Sequence, residues 1–219
     1  KEGEEKEDPF LHGQPVILVA GLGNQSVTPD SLGPRTVNNL SVSQNETGLK
    51  AIAPGVMAQT GMETARILSG LIREIKPDLV IAIDALAARS IRRLGTTIQL
   101  TDTGIHPGSG VGNHRHSLTK ETLGIPVLAV GVPTVVGAAA IVHDTISALT
   151  GVLASEEATK NTGKWIENMN PEDQYRMIRE LLEPEFGSLY VTPPDIDQRV
   201  KQLSFTISEG IHRAVTLFR

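Results

Sequence analysis

The chain has 219 residues, 39% hydrophobic and 3% aromatic, with no cysteine and a formal net charge of −5. This composition excludes disulfides, thiol nucleophiles and Cys-held metals, leaves few rings for base stacking, and lacks the dense Lys/Arg run that gripping a nucleic-acid backbone requires. Its length and its Val, Ile, Leu and Ala content predict a single α/β domain over 1–219, with 1–12 as a flexible lead-in and with parallel strands buried on both faces.

Residues 15–20 read as a buried strand, followed by a Gly- and Pro-rich loop over 21–34 and a short helix over Arg35–Leu40. The polar stretch Ser41–Lys50 breaks the pattern. A helix over 61–75 sets Met62, Ala65, Leu68, Leu71, Ile72 and Ile75 on one face, Pro77 stops it, and a strand over 79–83 follows at once. That hand-over from helix to strand is half of a βαβ layout. A strand at Thr97–Leu100 leads into the loop 102–113, where four Gly and one Pro forbid a regular element. Strand Pro126–Val132 is expected to end at Pro133, and Ala138–Leu153 reads as an apolar helix buried on most sides. Beyond a polar excursion over 155–170, a helix starts at Pro171. A last helix from about Asp195 carries Ile196, Val200, Leu203, Ile207, Ile211, Val215 and Phe218 on one stripe that docks on the sheet. No apolar run approaches the ~18 residues of a membrane span. The acidic start Lys1–Asp8 is the reverse of a signal peptide, so a cytoplasmic protein without a membrane partner is the expectation. The chain begins at Lys, which suggests a processed or trimmed form.

The candidate chemistry lies at strand ends. Open α/β sheets bind ligands in the crevice outside the carboxyl ends of their strands. Asp84 stands there directly, in Val80-Ile81-Ala82-Ile83-Asp84, and Asp30 reaches the same rim through the loop Gly21-Leu22-Gly23-Asn24 to Thr28-Pro29-Asp30. A helix cap or a solvated carboxylate is the bland alternative for each, and for the secondary candidate Asp102. Gly21-Leu22-Gly23-Asn24 resembles a dinucleotide loop but lacks the third glycine and the immediate helix. His114 and His116 lie in a polar loop without metal-site spacing, and no Gly-x-Ser-x-Gly elbow exists for a serine nucleophile. His106, in the Gly-rich loop, could enter the crevice; bonded to backbone it would be unremarkable.

Taken together, GLGNQSVTPDSLGP at 21–34, APGVMAQTGMET at 53–64, the 76–115 segment from KPDLVIAIDALAARS to HPGSGVGNHR, and KETLGIPVLAVGVPTVV at 120–136 resemble the germination proteases of spore-forming bacteria. The likeness is dense over about half the chain and looser over the last eighty residues. The resemblance implies a three-layer α/β fold with a mostly parallel central sheet, like that of the hydrogenase-maturation endopeptidases. It also implies an atypical aspartic-type endopeptidase that starts the degradation of small acid-soluble spore proteins in the spore core. The family's two essential aspartates fall on Asp30 and Asp84. It further implies a zymogen that trims its own N-terminal segment, assembly as a homotetramer, and neither a cofactor nor a bound metal, although the maturation enzymes use the equivalent acidic positions to hold nickel. The chain departs from the family in lacking most of the segment before the GLGN strand, in a short 41–50 stretch, and in Gly137, where the family commonly has Asp.

The expected reaction is peptide hydrolysis by a water held between Asp30 and Asp84. Two close carboxyls push one pKa up and share a proton, so one takes a proton from water while the other polarises the carbonyl. Backbone N–H groups around Gly104, His106, Gly108 and Gly110 are the expected oxyanion donors or substrate contacts, because glycine permits close approach. The alternatives are a metal-dependent maturation-type peptidase acting on a partner protein, and a non-catalytic nucleotide-binding domain.

Overall fold

The computed structural model describes residues 15–42, 48–108, 116–155 and 168–217. The expected flexible lead-in at 1–12, Gly110 and Phe218 lie outside them.

Six strands form one mixed, mostly parallel sheet with helices on it, the α/β architecture the sequence predicts. In chain order they are β1 (Ile17–Gly21), β2 (Leu49–Ile52), β3 (Leu79–Ala88), β4 (Gln99–Thr101), β5 (Val127–Gly137) and β6 (Tyr190–Val191). The spatial order is β2-β1-β3-β5-β4, with β6 also on β5. β1 runs parallel to both β2 and β3, whereas β4 and β6 are antiparallel to β5. The helices are α1 (Leu32–Asn39), α2 (Met57–Thr60), α3 (Thr64–Ile75), α4 (Lys120–Leu123), α5 (Ala138–Ser155), α6 (Pro171–Phe186) and α7 (Ile196–Thr216).

The chain groups into two compact units: residues up to Leu86 with Ile98–Val132 and Asp195–Arg219, and residues Ala87–Thr97 with Pro133–Pro194. In the first unit, side-chain alternation along the strands builds two cores. Ile17, Val19, Ile81 and Ile83 face the α1 and α7 side with Leu32, Val200, Ile207 and Ile211. Leu18, Ala20, Val80 and Ala82 face the other side with Leu68 and Ile72 of α3 and Leu123 of α4. This is the three-layer arrangement, and it explains why β1 reads as an unbroken apolar run.

Several readings of the sequence are corrected. The strand expected over 79–83 runs on to Ala88, so Asp84 lies inside β3 and not past its end, and the helix expected from 61 starts at Thr64, leaving Met62 outside it and 55% exposed. β2 falls partly inside the stretch that looks like a break, because it is only four residues long and follows polar chain. α1 starts at Leu32, with Gly33 and Pro34 in its first turn, where proline is tolerated because that N–H has no helical partner. β5 continues through Pro133 to Gly137; Pro133 lies past Gly131, the last residue paired with β4, and its carbonyl accepts from the Gly95 N–H at 2.7 Å. α5, expected to be buried on most sides, buries only Ala140 and Thr150, and Leu149 and Val152 are 54% and 57% exposed. By length and composition α5 is also apolar enough to cross a membrane, which the sequence reading denied to any segment. Within it, Asp144 accepts hydrogen bonds from Ser90 Oγ at 2.9 Å and from the Ile91 N–H at 2.8 Å.

The second unit has a core of Ala88, Leu94, Val136 and Ala140, with Ile141 and Tyr175 against it. α6 is capped by Asn170, whose Oδ1 accepts from the Glu172 N–H at 2.9 Å, with Pro171 in the first turn as its sequence requires.

Candidate active site

The carboxyl end of β1 and the middle of β3 are drawn together by backbone. Gly21 is in register with Ile83, and the Leu22 N–H donates to the Ile83 carbonyl at 2.8 Å. The start of α1 then crosses this rim so closely that only glycine fits. A Cβ on Gly33 would stand 2.4 Å from Leu22 N and 2.6 Å from the Ile83 oxygen, and one on Gly21 would stand 2.2 Å from the Gly33 oxygen. Asp84 is the residue after Ile83, and Asp30 lies three residues before Gly33. The two segments that carry the aspartates therefore meet beside the carboxyl end of β1.

Asp84 is buried, 5% exposed, and its Oδ1 accepts from the Ala85 N–H at 3.0 Å. Strand alternation puts it on the face of Ala82 and Leu86, shared with α3. A carboxylate at that depth is a poor candidate for a solvated ornament, since burial without chemistry is costly.

Asp30 is half-buried and ends the 3-10 turn Thr28–Asp30. It is not a side-chain cap of α1; Ser31 occupies that position and makes no cap hydrogen bond there. Instead the Asn24 N–H donates to Asp30 Oδ2 at 2.7 Å. Gly23, at φ +108°, lies where a Cβ would meet the Asp30 carbonyl oxygen at 2.1 Å. The turn is braced from three sides. Ser31 Oγ donates to the Thr28 carbonyl at 2.8 Å, Arg35 Nε donates to Ser31 Oγ at 3.0 Å, and Thr28 Oγ1 donates to Asp197 Oδ1 on α7 at 3.1 Å. Gln59 Nε2 reaches Asn24 Oδ1 at 2.9 Å from α2.

These braces were not singled out from sequence. Asn24, Gln59, Thr28 and Asp197 are ordinary polar residues there, and only the Asn24-x-Ser26 spacing of an Asx turn carried a local signal.

The other sequence candidates divide. Gly104, at φ +89°, is accounted for by packing, since a Cβ would meet the Leu118 carbonyl oxygen at 2.2 Å. Its neighbours Ile105 and Leu118 bridge the foot of the loop and are buried on the α3 side of the sheet. His106 and Asp102 are exposed, and Gly108 takes φ +76°. His116 is tied to Glu63 at the start of α3 through both its ring Nδ1 and its backbone N–H. Those bonds hold the Glu63 carboxyl below its ordinary value.

Among the described residues no three His, Asp or Glu side chains group as metal ligands. A cavity of about 240 Å³, lined among others by Tyr175, Arg179, Phe186 and Tyr190, lies in the second unit and contains none of the candidate site residues.

Fold and site together define an α/β protein whose candidate reactive groups are two carboxylates on segments that meet beside the carboxyl end of β1. The chain belongs to the germination protease family: the model of that family matches residues 11–164. It is 49% identical over 213 residues to a germination protease of Caldanaerobacter subterraneus subsp. tengcongensis, covering 91% of this chain and 65% of that protein. With the germination proteases of Clostridium acetobutylicum and Priestia megaterium the identities are 43% and 40%, over 94% and 90% of this chain and 67% and 65% of theirs. The chain thus spans about two thirds of the length of the curated relatives it matches. Among solved structures, it is similar to a [NiFe] hydrogenase maturation protease HycI from Thermococcus kodakarensis KOD1. That likeness is 18% identical with a TM-score of 0.43, over 91% of this chain and 94% of that one, and is too distant to carry a functional argument.

Proposed function

We propose that the chain carries the catalytic part of an endopeptidase that cuts small acid-soluble spore proteins, with Asp30 and Asp84 activating the attacking water. The observation behind this is the meeting of the two aspartate-bearing segments at the Gly21–Gly33 crossing, with one carboxyl buried and the other braced. Family membership supports the reaction class and the kind of substrate.

In this mechanism one carboxyl is ionised and the other protonated. The ionised one takes a proton from water as the water oxygen bonds to the scissile carbon, while the protonated one donates to the carbonyl oxygen. Collapse of the tetrahedral intermediate then breaks the C–N bond, and a carboxyl supplies the proton to the leaving amine.

The glycine loop does not favour the nucleotide-binding alternative. The Asn24 N–H, which a phosphate would need, is already given to a carboxylate that would repel it.

The test is cleavage of a purified small acid-soluble spore protein by the full-length protein, with cuts mapped by mass spectrometry. Asp30→Asn and Asp84→Asn should each lower turnover at least ~10³-fold while keeping the fold, as loss of an essential acid or base does. Wild-type turnover in either variant would sink the mechanism.

A further inference from the structure

Asn24 is held in a single amide orientation. The Ser26 backbone N–H points at one end of its side chain at 2.9 Å, and a backbone N–H only donates, so that end is the oxygen. Gln59 Nε2 donates to the same oxygen at 2.9 Å from 35 residues along the chain. The side-chain Nδ2 is thereby turned the other way, and among the described residues its two N–H groups have no acceptor. The residue is only half-buried. One atom of the same residue, its backbone nitrogen, is already bonded to Asp30 Oδ2 at 2.7 Å.

An oriented neutral donor beside a carboxylate suits one task in amide hydrolysis, holding the carbonyl oxygen as negative charge develops on it. A flexible amide would pay an ordering cost at that moment; one locked by two donors on its oxygen does not. Gln59 sits close to the loop before it: a Cβ on Gly55, at φ +73°, would stand 3.3 Å from Gln59 Oε1.

We propose that Asn24 is a further catalytic residue of the aspartate site, its Nδ2 donating to the scissile carbonyl oxygen, with Gln59 as the positioning residue that aims it. The proposal rests on the endopeptidase reading. As the water oxygen bonds to the carbonyl carbon, one water proton passes to the ionised aspartate and the C=O π pair moves onto the oxygen. Asn24 Nδ2 and the protonated carboxyl hold that oxygen together. When the C=O re-forms, the C–N bond breaks and the amine leaves with a proton from a carboxyl.

The experiment uses the full-length protein on a small acid-soluble spore protein, comparing wild type with Asn24→Ala, Asn24→Asp, Gln59→Ala and Gln59→Glu. It also measures binding of a substrate-sequence peptide whose scissile bond is replaced by a phosphonate, a mimic of the tetrahedral intermediate. Asn24→Ala should lower kcat by about 10²-fold with KM within about threefold, and should weaken phosphonate binding by the same factor. Asn24→Asp keeps the accepting oxygen, and with it the loop, so it should hold the thermal midpoint while losing turnover. Either Gln59 variant should lower kcat about tenfold through a loosened amide and leave KM alone. Retention of more than half of kcat and of phosphonate affinity by a folded Asn24 variant would overturn the donor role and leave the aspartate mechanism standing. Loss of the fold in both Asn24 variants would also overturn it, by making Asn24 structural. A wild-type protein that cuts nothing would overturn the endopeptidase reading, and the donor role with it.

Discussion

Glu63 shows how one residue near the site answers to pH. Its carboxyl accepts from the His116 backbone N–H, the largest cause of its lowered pKa, and then from the His116 ring. A carboxyl whose folded pKa lies below its unfolded value adds stability above the ordinary value of 4.5, and that stability is lost as pH falls through the folded value. Glu63→Gln should therefore destabilise the protein at neutral pH but match wild type in strong acid. Urea unfolding midpoints at several pH values between neutrality and about pH 3 check this. A difference between the two proteins that stays constant with pH would show that the ionised carboxyl adds nothing. The two aspartates were readable in sequence as candidates, since Asp30 follows an apolar strand through a loop and Asp84 adjoins an apolar run, although Asp84 falls inside β3 and not past its end. Their braces were not: Gln59 reaches Asn24 across 35 residues and Asp197 reaches Thr28 across 169, separations no local pattern encodes.

At the scale of elements, the long apolar patterns were readable and the short or exceptional ones were not. β1, α3 and α7 followed their buried faces, since each buries a face wide enough to dominate its composition, whereas β3 runs on past its apolar run from Ile83 to Ala88. β2 has too few residues to show a period, and α1 hides its start under Gly33 and Pro34. α5 misled in the other direction. Composition reports what a helix could bury, whereas α5 packs only Ala140 and Ile141 against Ala88, Leu94, Val136 and Tyr175. Packing then predicts two unequal losses. Leu68→Ala, at a fully buried α3 position, should cost about 2–5 kcal/mol by denaturant titration through the lost burial and the cavity left behind. Leu149→Ala, on the exposed side of α5, should stay within about 0.5 kcal/mol. Equal losses at both positions would contradict the burial described.

For the whole molecule, 25 acidic against 20 basic residues give the net charge of −5, with a pI near 5.7. Solubility should fall to a minimum near that pH, where mutual repulsion vanishes, and recover above it. Light scattering across the range checks this, and a flat profile would show that charge does not govern association. The same acidity is compatible with the proposed substrates, because a protease for spore proteins has to grip protein and not the DNA those proteins coat.

At the crossing of Gly21 and Gly33 strand and helix touch main chain to main chain, with no side chain between them to absorb a shift. Gly33→Ala should consequently destabilise the fold by at least about 1–3 kcal/mol and remove activity in step, as thermal melts and turnover measured together would reveal. Such a joint works like a dry hinge pin without bushing: it holds the two aspartate-bearing segments together main chain to main chain, and it leaves no slack between them. Adaptation toward a new cleavage preference would have to come from the surrounding loops, because the joint itself offers no intermediate settings.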